Sequence, residues 1–194
     1  MTDLSPNTND KTARIISASF EAFRLYGFKR VSMADIAKGA GMSRAALYLH
    51  FRNKEDIFAS LVADYFARTA QVMEEALRDA PDAQSALKAA FAAKVAPPFD
   101  ALLNSPHGPE LLDAKAEVSG EIVAEGDAKL VSVLTVWLAT GLTDGSLTLG
   151  ASAREVARVI LAAVHGVVDG ATEYTTLRDD LDRLAVMFAR ALTP

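Results

Sequence analysis

At 194 residues, with 51% hydrophobic and 23% charged side chains, the chain has the makeup of one or two ordinary globular domains with a sizeable core. It has no cysteine, which excludes disulfides and thiolate metal sites, and no apolar run approaching the roughly 18 residues of a membrane span. The formal charge of −5 divides unevenly: residues 1–60 hold nine Lys/Arg against six Asp/Glu, and residues 61–194 hold 11 against 19, a basic head on an acidic body. The polar start, MTDLSPNTND, lacks the basic-then-apolar plan of a secretory signal, so a cytoplasmic location is expected.

Residues 1–8 are expected to be disordered. A first helix starts at Asn9 or Asp10 and runs to about Leu25, with Ile15, Ser19, Ala22 and Phe23 on one face and Gly27 as its stop. Ser32 caps a second helix, and Asp35 three residues on completes a capping-box pattern. Met33, Ile36, Ala37 and Ala40 form its inner face, and Gly41 turns the chain in a position suited to positive φ. Ser43 caps a third helix in which Leu47 and Phe51 point inward, leaving Arg44, Ala45, Tyr48 and His50 outside. Asn53 caps a fourth, whose first turn carries Glu55 and Asp56 where the helix dipole favours acids.

That fourth helix can run to about Asp79, roughly 39 Å at 1.5 Å per residue, long enough to link a small head to a separate body. A fifth helix covers about Asp82–Ala96 and stops at Pro97-Pro98. A short piece, Phe99–Leu103, precedes the loop NSPHGP. A sixth helix spans Glu110 to about Val118 and a seventh Ser119 to about Leu142. Ser152 with Glu155 opens an eighth, to about Tyr174, and Thr176 with Asp179 opens a ninth, to about Leu192. No strand-like alternation competes, so the fold class is all-α with about nine helices.

Two short helices around a glycine turn can be a packed corner as well as a DNA-reading device. Three features favour the second reading. The third helix opens with Ser43-Arg44-Ala45-Ala46, small enough for close approach to base edges. Arg44 can grip a guanine bidentately. Lys29 or Arg30 before the motif, and His50, Arg52 and Lys54 after it, stand where phosphates should pass.

Residues 15–58, with Gly27-Phe28, DIA at 35–37, AGMS at 40–43, LYLHF at 47–51 and NKEDIF at 53–58, resemble the DNA-binding domain of TetR-type transcriptional repressors. The resemblance implies an all-α homodimer, with a helix-turn-helix domain over residues 9–52 and a ligand-binding and dimerisation domain over 53–194. It implies phosphate contacts at Arg30 and Ser32 and recognition-helix roles for Ser43, Arg44, Ala45 and Tyr48. It implies backbone contacts at His50 and Lys54. Tyr48 could instead be a helix-packing aromatic. Two recognition helices about one helical turn apart, roughly 34–36 Å, would read a palindromic operator on double-stranded DNA. No cofactor and no metal are expected.

In the eighth helix Ala162, Gly166 and Gly170 recur at four-residue spacing. Glycine costs a helix about 1 kcal/mol relative to alanine, so the pattern asks for a close neighbour. A homodimer interface is expected there, with Leu181, Leu184 and Phe188 of the ninth helix, although close packing inside one subunit would also use small residues. A small-molecule effector is expected among Tyr65, Phe66, Met73, Phe91, Phe99, Leu103 and Trp137, with Leu111, Val133 and Leu138, any of which could be plain core. Their apolar character points to a hydrophobic or aromatic effector. His165, Asp169 and Glu173 stand four apart, as do Glu117, Glu121 and Glu125. The first set could serve a metal or, with His107, an enzyme; both read more simply as solvated polar stripes. The expectation is therefore a ligand-responsive repressor and not an enzyme, with a constitutive or protein-partnered DNA binder as the alternative.

Overall fold

The structure, a computed structural model, describes the backbone of residues 5–194, and side chains throughout except at 5–9, 97–98 and 115–117. Among the described residues the chain is helical, with no strand. The helices are α1 (Ser5–Tyr26), α2 (Met33–Gly39), α3 (Arg44–Tyr48), α4 (Lys54–Asp79), α5 (Ala83–Lys94), α6 (Pro97–Leu103), α7 (Gly108–Asp144), α8 (Ala153–Asp169) and α9 (Tyr174–Leu192). None is long and apolar enough to cross a membrane.

The backbone groups into two compact units. The first comprises the chain up to Tyr65 together with Asn104–Val123, and the second comprises Phe66–Leu103 with Ala124–Pro194. A contiguous cut at residue 52 or 53 does not describe this grouping. The start of α4 and the segment 104–123 lie with the N-terminal helices because Phe58 and Glu110 are bound to them, as set out below.

In the first unit, α1 buries Ile15, Ser19 and Phe23 along one stripe, and the Ser19 hydroxyl satisfies itself by donating to Ile15 O at 2.7 Å. The helix begins at Ser5, before the expected Asn9 or Asp10. Residues 1–4, within the stretch expected to be disordered, lie outside the described residues. Gly27, at φ +83°, ends α1 with its N–H on Phe23 O at 2.8 Å. The chain then turns Phe28 inward. Phe23, Phe28 and Phe58 form a triangle of tilted and edge-on rings with centroids 5.0–5.8 Å apart. Burying each of these rings stabilises the unit by about 2–3 kcal/mol.

The second unit has α5 and α8 close against α9. Asp82 caps α5 by accepting Ser85 N–H at 2.7 Å, and Ser152 with Glu155 makes the expected capping box on α8. Its interior is leucine-rich: Leu87, Leu130, Leu134, Leu138, Leu161, Leu177 and Leu181 are all buried. The break expected between Val118 and Ser119 is a kink within one helix. Ser119 has non-helical φ −131° and ψ 23°, and α7 continues on either side.

Two boundaries differ from expectation. The eighth helix ends at Asp169, not near Tyr174, and Gly170 is its cap, with N–H directed to Gly166 O and Val168 O. A glycine ends a helix as readily as it thins one. The ninth helix starts at Tyr174, two residues before the expected cap Thr176. Glu173 holds the cap position with no side-chain cap bond, and the Thr176 hydroxyl donates to Glu173 Oε2 at 3.2 Å. The Tyr174 hydroxyl donates to Val95 O at 2.8 Å, which ties the start of α9 to the end of α5.

Candidate nucleic-acid interface

The helix-turn-helix is held from below by apolar anchors and from its ends by caps. Met33, Ile36 and Ala37 of α2 and Leu47 of α3 are buried. Between the helices Gly41 adopts φ +65°, Met42 N–H returns to Ala37 O at 3.0 Å, and Arg14 of α1 donates to Ala40 O at 2.9 Å. The Ser32 hydroxyl donates to Asp35 Oδ2 at 2.6 Å. Together with the Ser32 N–H on the same oxygen, at 2.9 Å, it holds the Asp35 carboxyl below its usual range. Ser43 Oγ accepts Ala46 N–H at 3.1 Å, which leaves its own hydroxyl proton free to meet a phosphate.

Fixing Leu47 inward turns the opposite arc of α3 outward. Arg44 and Ala45 are exposed, Tyr48 is 48% exposed, and Leu49, the C-cap, is 86% exposed. Tyr48 therefore stands on the outer arc, not as a packing aromatic. Leu49 was not singled out from sequence, yet the inward register of Leu47 and Phe51 already placed it on the outside. An exposed leucine beside an arginine can touch a thymine methyl while the guanidinium reads guanine.

The flanking cations divide. Arg30 is exposed, and His50 is half-buried at the end of α3. Arg52 is exposed but pairs with Asp56, Nε to Oδ2 at 2.8 Å. Lys54, expected against phosphate, turns inward instead. Its Nζ donates to Phe28 O at 2.7 Å, Lys29 O at 3.0 Å and Val31 O at 3.1 Å, and lies 4.8 Å from the Phe28 ring centroid. All three ammonium donors are thereby used within the unit. The role the structure supports for Lys54 is to hold the 28–31 turn onto the start of α4.

In the second unit Phe66, Met73 and Phe91 are fully buried, whereas Phe99, Leu103 and Trp137 are half-buried. Tyr65 and Leu111 belong to the first unit, so the ten effector candidates are not one set. Leu181, expected at the dimer interface, is 1% exposed within the single chain and belongs to the core, on the inner stripe with Leu177 and Ala185. Ala162, Gly166 and Gly170 are exposed, and Leu184 and Phe188 half-buried. His165 does not join Asp169 and Glu173; its Nε2 lies 3.3 Å from Asp127 Oδ1. Among the described residues no three His, Asp or Glu converge as metal ligands. Glu121 and Glu125 are exposed, and the side chain of Glu117 lies outside the described residues.

Residues 15–61 match the family model described as bacterial regulatory proteins, tetR family. An uncharacterized HTH-type transcriptional regulator, YdgC, of Bacillus subtilis is 34% identical over 64 residues, which cover 33% of this chain and 33% of that protein. The match thus spans about a third of this relative's length. Among solved structures, a TetR transcription regulator from Haloarcula marismortui superposes with a TM-score of 0.78 at 20% identity, covering 96% of this chain and 100% of the other. The SmeT–triclosan complex superposes at 0.70 and 22% identity, over 95% of this chain and 92% of the other. These proteins are regulators by description, not enzymes. The segment that matches the tetR family model contains the whole capped, outward-facing α2–α3 motif, and the helical fold around it is shared along nearly the full chain with a solved TetR transcription regulator.

Proposed function

We propose that the protein is a homodimeric transcriptional repressor that binds a palindromic operator and is released from it by a small apolar effector. The observation that carries the DNA-binding reading is the exposed arc Arg44, Ala45, Tyr48 and Leu49, standing on the buried Leu47 inside the family-matched segment. Arg44 offers a bidentate grip on guanine, and Tyr48 and Leu49 offer apolar contact to a neighbouring base. Arg30, His50 and the free hydroxyl proton of Ser43 supply phosphate contacts, which set register and most of the affinity.

Pairing of two subunits through α8 and α9 is supported by the exposed row Val159, Ala162 and Gly166 beside the exposed Met187 and the half-buried Leu184 and Phe188. Release by an effector is supported by the SmeT neighbour, which shares this fold and forms a complex with triclosan, a small aromatic compound. Selection of bound duplexes from a random pool, followed by titration at several salt concentrations, tests the proposal. A palindrome should emerge, with log K falling steeply with log salt. Arg44→Ala should cost about 1–3 kcal/mol and relax selectivity at one base pair per half-site. Absence of salt-dependent duplex binding would sink it.

A further inference from the structure

The exposed arc of α3 divides into two stripes. At about 3.6 residues per turn, Arg44 lies beside Tyr48 on one stripe and Ala45 beside Leu49 on the next. The Arg44–Tyr48 stripe ends in hydrogen-bonding groups, a guanidinium and a phenol. The Ala45–Leu49 stripe ends in methyl groups alone. Leu49 is the C-cap, yet its φ of −72° and ψ of −20° keep it in helical register, and its N–H is used inside α3 on Ala46 O and Leu47 O. The side chains of this second stripe can offer a base edge only apolar contact.

A lone exposed leucine on an arbitrary surface asks for no partner. Leu49 differs in degree and in place. At 86% it is the most exposed large apolar side chain among the described residues, and it stands inside the segment that matches the family model. Its neighbours Leu47 and Phe51 are buried, so α3 cannot roll to cover Leu49 without uncovering them. In the major groove the apolar edge group is the C5 methyl of thymine, whereas the other groups that distinguish the bases donate or accept hydrogen bonds.

We infer that the Ala45–Leu49 stripe reads the C5 methyl of a pyrimidine, with Leu49 as the specificity-determining residue, and that it accepts 5-methylcytosine in place of thymine. This rests on the DNA-binding reading above and names the base chemistry that this half of the arc selects. Acceptance of 5-methylcytosine follows from what the stripe lacks. Thymine carries the O4 acceptor where cytosine carries the N4 amino donor. Telling the two apart takes a hydrogen-bonding side chain, and neither Ala45 nor Leu49 has one, so groove water serves either group. Methylating a cytosine at this position therefore turns a poorly bound base into a well bound one, and occupancy of such a site depends on the methylation state of the DNA.

The test starts from an operator that the full-length protein selects out of a random pool. Each thymine of the half-site is replaced in turn, symmetrically, by deoxyuridine, which removes only the methyl. At one position affinity should fall about fourfold per half-site, or about fifteenfold for the palindrome. At that same position 5-methylcytosine should bind about fourfold per half-site more tightly than plain cytosine, the paired guanine being common to both. Leu49→Ala should bind the thymine duplex only about as tightly as wild type binds the uracil one, with both methyl effects reduced below about twofold. Circular dichroism and a thermal melt check that the variant is folded. A half-site in which no thymine methyl matters, a methyl effect that survives Leu49→Ala, or 5-methylcytosine bound no better than cytosine overturns the inference and leaves the DNA-binding reading standing. If no duplex is held at any salt concentration, that reading fails and this one with it.

Discussion

Glu110 Oε1 accepts the backbone N–H of Lys29 at 2.9 Å, joining two points 81 residues apart in the chain. Its Oε2 lies 3.2 Å from His107 Nδ1, so one carboxylate binds both the loop before α7 and the turn that leads into the helix-turn-helix. On the far side of that turn, Lys54 holds the carbonyls of Phe28, Lys29 and Val31. The cationic stretch Lys29-Arg30 is thus positioned by an acid on its amide side and an ammonium on its carbonyl side.

Gly27 should not tolerate alanine. Its φ of +83° penalises any side chain, and a Cβ there would stand 2.5 Å from Glu110 Oε2 and 3.0 Å from His107 Nδ1. The left-handed backbone costs about 1 kcal/mol for a non-glycine residue, and displacement of Glu110 adds a similar amount. Gly27→Ala is expected to lower stability by about 2 kcal/mol in a denaturant titration, and a neutral outcome would show that the Glu110 contact is not made in solution.

The same contact predicts an acid dependence. The Lys29 amide, followed by burial and then the His107 hydrogen bond, sets the balance that leaves the Glu110 carboxyl below its ordinary range. A carboxyl lowered on folding contributes stability above its unfolded pKa, and that contribution disappears as pH falls through the folded value. Exchange protection of the Lys29 amide, corrected for intrinsic rates, should be constant above about pH 5 and decline below about pH 4. Glu110→Gln should flatten this decline. Protection that ignores both acid and the substitution would refute the contact.

Lys54 separates two roles cleanly. A lysine acting only on phosphate leaves the free protein's stability unchanged when replaced, whereas one serving three carbonyls does not. Lys54→Met is expected to cost about 2 kcal/mol without DNA present, since two or three charge-assisted hydrogen bonds are lost. Lys54→Arg should recover only part of this, because a planar guanidinium cannot direct its donors at three converging oxygens. If Lys54→Met melts like wild type and loses only DNA affinity, the inward geometry is not the working one.

What could be read in the sequence was local. The Ser32–Asp35 and Ser152–Glu155 boxes, the Ser43 cap and the positive φ of Gly41 each depend on residues within a turn, and each stands in the structure where the pattern put it. The outward arc of α3 followed from the inward spacing of Leu47 and Phe51. Contacts between distant segments left no such trace: nothing near His165 announces Asp127, and nothing near Lys29 announces Glu110. Gly170 was ambiguous in kind, since a stripe of small residues and a helix stop use the same residue. Leu181 was misplaced because a helix buried on one side and half-covered on the other carries leucine on both faces, and periodicity does not say which face meets its own subunit.

Gly166 is where the proposed dimer is most exposed to test. Within one chain, a Cβ at Gly166 would meet nothing within 4 Å, and the residue lies inside α8. Alanine at an exposed helix interior is favoured over glycine by about 1 kcal/mol. An isolated subunit should therefore gain stability from Gly166→Ala and accept Gly166→Leu without strain. A second copy packed on the row of Ala162 and Gly166 reverses the sign for leucine, because the added side chain holds the two α8 backbones apart. Sedimentation velocity across a range of concentrations should show wild type as a dimer and Gly166→Leu shifted to monomer, with helicity intact by circular dichroism. A Leu variant that stays dimeric would move the interface away from this stripe, and the half-buried Leu184 and Phe188 would then need another explanation for their exposure.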